Sequence, residues 1–269
     1  MNKRSLFTAT LLLVSVTTIF AQVRTADQQA GSQIAKNGFR NEAEIAAKFN
    51  NWKNDGDARS WLQAMDHSAE DVRNVRAERP HGEKADLFVT VTTATGEKRE
   101  GISIKLVSNT AGFNQIDKRW LAQYVKKWNI PADVNDALRL FTGEAAPIGQ
   151  TRDGRRMFLN ELPTEQQAAV VDFFTKHKDR VVKDLIAGSD YGHADWFMVA
   201  LKASEKPQWS ITTVEEAISF FGEGEVRMTS GGNLRIGRIT MQRKGGDGGR
   251  DTAKMLQFKI NPAEIFSRK

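Results

Sequence analysis

Apolar and polar positions alternate with period two in one short stretch of this chain, and that stretch organises the rest. From Asp86 to Val91, Leu87, Val89 and Val91 fall on one side, with Asp86, Phe88 and Thr90 on the other. From Ile102 to Leu106, Ser103 and Lys105 alternate with Ile102, Ile104 and Leu106. The intervening Thr95 and Gly96 suit a two-residue turn, which predicts a β-hairpin in which Asp86 stands opposite Lys105. Helical spacing marks other segments. Gly38 to Lys53 places Phe39, Ile45, Ala46, Phe49 and Trp52 on one stripe, and Glu42 shares it. A carboxylate there is costly unless it is paired, faces a site, or caps the first turn.

Further helices are predicted over Ser60 to Asp66, Ala69 to Arg76, Phe113 to Trp128, Ala132 to Phe141 and Thr164 to Ala187, the last stopped at Gly188. Strands are predicted at Trp196 to Leu201, Trp209 to Thr213, Glu225 to Thr229, Asn233 to Gln242 and Ala253 to Ile260. This order reads as an α/β domain from residue 31 to 269. Before it, Met1 to Arg4 are basic at two of four positions, Leu6 to Phe20 are apolar, and Ala21-Gln22 suits cleavage. Residues 1–22 thus have the form of a secretory leader, with a polar linker over 23–30.

Charge narrows the partner. The chain has a net charge of +6 and a pI of about 9.5, which favours an anionic ligand. The excess is concentrated between Arg235 and Lys259, where seven basic residues face two acidic ones. With no cysteine, thiolate zinc sites and cysteine nucleophiles are excluded. His67, His81, His177 and His193 lack metal-ligand spacing, and no P-loop or nucleophile elbow is present. The run Arg243 to Arg250 holds four glycines, a composition that either lets backbone amides approach phosphates or makes a solvated loop.

An acid and a lysine on one face of a hairpin can serve two purposes. They can form a cross-strand ion pair on a solvated face. Alternatively the carboxylate holds a divalent cation while the lysine steers an attacking water, the requirement of phosphodiester hydrolysis.

Several runs decide between these by resemblance. They are Ala35 to Glu42, Ile104 to Asn109, Gly112 to Lys118, Phe141 to Glu144, Arg155 to Phe158, and Gln242 to Asp247 continuing through Met255 to Ile260. In these runs, and in the same order, the chain resembles type II restriction endonucleases of the HinP type, which cleave GCGC, with a weaker likeness to MspI. The resemblance implies a PD-(D/E)XK nuclease fold, a central mixed sheet flanked by helices, and Mg²⁺-dependent cleavage of double-stranded DNA leaving 5′-phosphates. Asp86 matches the metal-binding aspartate, Lys105 the catalytic lysine and Glu42 a supporting first-helix glutamate. Ser103 stands where the superfamily has a carboxylate and the nearer relatives resemble a Gln-x-Lys version. A serine is a weaker, uncharged metal ligand, so a DNA-binding relative with impaired cleavage is the alternative reading. Ala85 likewise replaces a serine.

Phe113, Asn114, Gln115 and Lys118 are the first candidates for DNA contact, and Gln257 and Lys259 the second. In GCGC such donors would read guanine edges. Arg243, Lys244 and Arg250 would hold phosphates, as would Arg155 and Arg156. The resemblance implies a monomer or weak dimer, with a cognate methyltransferase in the same system that it does not bind. Restriction also requires the cytoplasm, against the leader, whose function would instead make the protein an exported DNA-degrading nuclease.

Overall fold

The computed structural model describes residues 33, 36–188, 193–244 and 251–268. The leader and linker positions therefore lie outside the described residues, as do Arg250 and the glycines of its loop. The chain divides into two units, residues 1–40 and 41–269. In the smaller, the described residues are helical and Gln33 Nε2 donates to Asn37 Oδ1 at 2.9 Å.

The larger unit opens with helix α1, residues 41–50, followed by α2 (Gly56–Ala64). Asp55 caps α2 by accepting from the Ala58 amide at 2.9 Å. Strands β1 (Asn74–Glu78), β2 (Leu87–Thr92), β3 (Glu97–Val107) and β4 (Asn114–Arg119) come next. Helices α3 (Leu121–Trp128), α4 (Ala132–Thr142), α5 (Thr164–Lys176) and α6 (Lys178–Ala187) lead to β5 (Trp196–Leu201) and β6 (Gln208–Thr213). Helix α7 (Val214–Gly222) precedes β7 (Val226–Met228), β8 (Leu234–Ile236), β9 (Ile239–Arg243) and β10 (Leu256–Ile260).

The first sheet has the order β1-β2-β3-β5-β6 and is mixed, because β3 and β5 run parallel while the other pairs are antiparallel. A parallel pair needs a long crossover; here it is the chain from β4 through α6. Both faces of this sheet are covered, so β5 reads as an unbroken apolar run. Its Trp196 and Met198 join Leu87, Val89, Ile102 and Ile104 against Ile45 and Phe49 of α1 and Trp61 of α2. Phe197, Val199 and Leu201 turn the other way, into a larger core shared with α3 to α7 and the second sheet.

That second sheet, β4-β10-β9-β8-β7, is wholly antiparallel. The mixed first sheet is the central sheet expected from the sequence, and this second sheet adds to it. Residues 113–119 account for much of it. The helical spacing of Ile116, Trp120 and Tyr124 predicts a helix there, yet the chain is strand up to Arg119 and helix only from Leu121. Pairing with β10 overrides the local pattern. Ala69 to Arg76 likewise ends in β1, Thr164 to Ala187 breaks into two helices at His177, and Asn233 to Gln242 folds back on itself at Gly237, whose φ is +58°.

Gly101 on β3 fixes the crossover's return. Its amide donates to Asp195 Oδ2 at 2.7 Å, and its carbonyl accepts from the Asp195 amide at 2.8 Å. A methyl group there would run into the His193 carbonyl oxygen and stand 3.1 Å from Ala85 Cβ. Gly101→Ala is expected to lower stability by about 1–3 kcal/mol. An unchanged thermal melt would refute this close packing.

Candidate active site

The hairpin forms, but in a register two residues away from the predicted one. Leu87 pairs with Ile102 and Thr92 with Glu97, and the Thr93 amide donates to the Gly96 carbonyl at 2.8 Å. The turn therefore centres on Ala94 and Thr95, with Gly96 at φ +145°. Asp86 consequently lies across from Ser103 rather than Lys105, its amide donating to the Ile102 carbonyl at 2.9 Å. A shift of two residues preserves the faces. Asp86, Ser103 and Lys105 still share one side.

These three side chains converge. Lys105 Nζ lies 3.3 Å from Asp86 Oδ2, 3.0 Å from Ser103 Oγ and 2.9 Å from the Ile104 carbonyl oxygen. Asp86 Oδ2 also accepts from the Ile104 amide at 2.6 Å, and Ser103 Oγ is 3.4 Å away. The carboxylate thus takes over the hydrogen bonding of the ladder just before β2 begins, which fixes its rotamer. Ser103 is buried, while Asp86 keeps 29% of its side-chain surface exposed.

Glu42 approaches from α1. Burial and the nearby charge of Asp86 hold its carboxyl above the usual range, while Lys105 and Arg79 pull it down. This carboxyl therefore shares the field of the hairpin site. Among the described residues no three His, Cys, Asp or Glu side chains cluster as a metal cage.

The site opens into a cleft of about 420 Å³ lined by Gly82, Glu83, Lys84, Asp86, Ser103, Lys105, Gln115 to Arg119, Lys127 and Gly188. Five of these side chains are basic and three acidic. The balance suits a polyanion. Sequence reasoning missed Lys84, Asp117, Arg119 and Lys127. Lys84 could have been found, because it precedes Asp86 by two and so shares its alternation. Burial, reinforced by the charge of Lys105, lowers the Lys84 ammonium to about 8. Asp117 is buried, accepting from Tyr124 Oη at 2.5 Å and from Arg119 at 2.8 Å.

The proposed DNA contacts divide into free and committed groups. Gln115 is exposed and Lys118 half-buried, both in the cleft wall. Phe113 is 53% exposed just before β4. Lys259 of β10, paired with Gln115 beside the bulge in β4, is half-buried, and burial lowers its ammonium. Asn114, by contrast, donates to the Leu106 carbonyl at 2.7 Å. Gln257 is buried. Arg243 is 8% exposed, 3.0 Å from Asp153, with its guanidinium 3.8 Å above the Phe158 ring. Arg156 donates to the Lys244 and Ala253 carbonyls at 2.8 and 3.0 Å, while Arg155, 78% exposed, lies 3.5 Å from Asp153. Arg243 and Arg156 thus brace the loop instead of extending towards phosphate as expected.

Glu161 closes this loop. Burial would raise its carboxyl, but hydrogen bonds from Thr151, the Phe158 amide and Arg152 outweigh it and hold the group down to about 2. A depressed acid stabilises the fold above its unfolded value and loses that contribution as pH falls towards its folded one. Glu161→Gln is therefore expected to cost about 1–3 kcal/mol at neutral pH. The gap in Tm from wild type should narrow from about pH 5 to about pH 3. A gap independent of pH would refute the ionised contact.

The fold is similar to that of restriction endonuclease MspI in a crystal structure with its cognate DNA, with a TM-score of 0.56 and 13% identity over 79% of this chain and 80% of that one. No curated protein matches the sequence. The fold is thus restriction-endonuclease-like. The sequence matches the R.HinP1I restriction endonuclease family over residues 65–266, and the chain belongs to that family, one of type II site-specific deoxyribonucleases. The matched span contains Asp86, Ser103 and Lys105 and excludes Glu42.

Proposed function

We propose that this nuclease hydrolyses double-stranded DNA at or near GCGC, with Mg²⁺, leaving 5′-phosphate ends. The observation that carries this reading is the convergence of Asp86, Ser103, Lys105 and the Ile104 carbonyl in a basic cleft. The donor set fits the ion. Asp86 Oδ2, Ser103 Oγ and the Ile104 carbonyl are hard oxygens already gathered around one cation, the Lys105 ammonium. Mg²⁺ characteristically takes one or two carboxylates and completes its shell with water and substrate phosphate. Asp86 would hold it, with Ser103 and the Ile104 carbonyl as neutral ligands and Glu42 as a second charge nearby.

When bound, the ion supplies Lewis acidity and neutralises charge at the phosphate. The protein's own groups do the rest. Lys105 directs the attacking water by hydrogen bonding and stabilises negative charge growing on the phosphoryl oxygens. Asp86 keeps that ammonium in place. Lys127 and Arg155 attract the backbone without reading sequence, while Gln115, Lys118 and Lys259 offer donors to base edges. In this reading Arg243 and Arg156 shape the loop, and the enzyme works in the cytoplasm beside a methyltransferase that protects host sites.

Plasmid digestion with Mg²⁺ tests the reading. Discrete fragments ending at GCGC are expected. A smear would favour an exported, unselective nuclease, as would a natural first residue near Val23. Retarded DNA without cleavage would favour a binding protein disabled at Ser103, whose buried hydroxyl replaces a charged ligand.

A further inference from the structure

We propose that Lys84 is a positioning residue that locks strand β4, the wall of the cleft carrying Gln115 and Lys118, to the segment carrying Asp86 into β2. The proposal rests on the reading of the cleft as the DNA-cleavage site. Its observations are separate from the hairpin triad.

The register between β10 and β4 slips by one: Lys259 pairs with Gln115 and Phe258 with Asp117. Ile116 is therefore the extra residue of a β-bulge, with no partner across the ladder. Bulges leave a residue unpaired and re-aim the side chains around it. Here the flanking residues are Gln115 and Asp117, with Lys118 one position further on, and among the described residues β4 is an edge strand of the sheet. The orphaned Ile116 carbonyl accepts from Lys84 Nζ at 3.1 Å. The same ammonium donates to the Leu185 carbonyl at 2.5 Å, in the last turn of α6. A cation is favoured there by the helix dipole.

One largely buried side chain thus joins three elements: the bulge, the end of α6 and the segment two residues before Asp86. The packing around its stem is tight. A Cβ on Gly188, which has φ +78°, would stand 3.0 Å from both Lys84 Cβ and Cγ. Without the ammonium, two inward-facing carbonyls lose their donor. The bulge is then free to relax, and the wall moves relative to Asp86.

The chain has no cysteine, so Lys84→Cys creates a unique thiol. Alkylation of that thiol with bromoethylamine, before refolding if necessary, builds a lysine isostere; ethylation of the same thiol adds similar bulk without charge. Lys84→Met serves as an unmodified counterpart. The readouts are single-turnover cleavage, DNA affinity without Mg²⁺, and hydrogen exchange over residues 114–119. In Lys84→Met and the ethylated protein, cleavage is expected to fall at least tenfold while affinity changes less than threefold. Exchange should accelerate in β4 but not in β2. Aminoethylation should restore both rate and protection.

Wild-type cleavage by either variant would overturn the proposal. So would a uniform rise in exchange across both strands, or failure of aminoethylation to restore what ethylation does not. If wild type itself does not cut, the nuclease reading fails, while β4 exchange still tests the lock.

Discussion

Asp86→Asn is expected to lower the cleavage rate by about a thousandfold or more while leaving DNA binding intact or stronger. The substitution preserves shape and an oxygen that can accept from the Ile104 amide, a bond of 2.6 Å in the native protein. Among the described residues, it removes the one full negative charge paired with Lys105 Nζ. Loss of a single well-placed electrostatic group typically costs about 10²–10³ in rate. Here the same carboxylate would also hold the ion and orient the lysine, and groups that act as a unit fail together. Binding moves the other way, since removing an acid from a basic cleft reduces repulsion of phosphates. Single-turnover cleavage and a filter-binding titration in parallel would measure both. A variant cutting at more than about a tenth of the wild-type rate would remove Asp86 from the chemistry.

Alanine is the poorer choice at this position. It would strip Lys105, which is 14% exposed, of its charged partner and leave a largely buried ammonium on two neutral oxygens. Part of any lost activity would then be lost stability.

The facing of the site was legible in the sequence because period-two alternation is local: Asp86, Ser103 and Lys105 had to share a side wherever the turn fell. The register was not legible. It depended on whether Thr95-Gly96 or Ala94-Thr95 formed the turn, and Gly96 is compatible with both. Strand β4 was hidden for a different reason. Asn114 to Arg119 carry no alternation, since one face is interrupted by the bulge at Ile116 and the one buried position is the charged Asp117. Only pairing with β10, some 140 residues away in sequence, makes the segment a strand. The roles of Arg243 and Arg156 were obscured because composition reports charge and not its neighbours. Asp153, Phe158 and two carbonyls capture guanidinium groups that looked free. Part of the run from Gly112 to Lys118 lines the cleft beside Asp86, although its secondary structure is strand and not the helix its spacing suggests.

Ser103→Asp should convert the weakest part of the site into its strongest ligand. Ser103 Oγ lies 3.4 Å from Asp86 Oδ2 and 3.0 Å from Lys105 Nζ, in a buried position. A second carboxylate there would meet Asp86 at close range, where like charges about 4 Å apart repel by about 4 kcal/mol at an effective dielectric of 20. Lys105 offsets part of this. The net expectation without a divalent ion is a loss of about 1–3 kcal/mol of stability. Bound Mg²⁺ should reverse the sign, because affinity rises with the number of charged ligands and an ion that binds only the folded state stabilises it. Thermal melts with and without Mg²⁺ should therefore diverge in the variant far more than in wild type. The Mg²⁺ concentration for half-maximal cleavage should fall by about tenfold, equivalent to about 1.4 kcal/mol. The two measurements separate the possible failures. An unchanged Mg²⁺ requirement together with a lower melt would mean that Ser103 lies outside the ion's shell and serves only to anchor Lys105. A lower requirement with no gain in rate at saturating Mg²⁺ would mean that ion binding at this position does not limit the chemistry, and that the serine is compatible with a fully active nuclease.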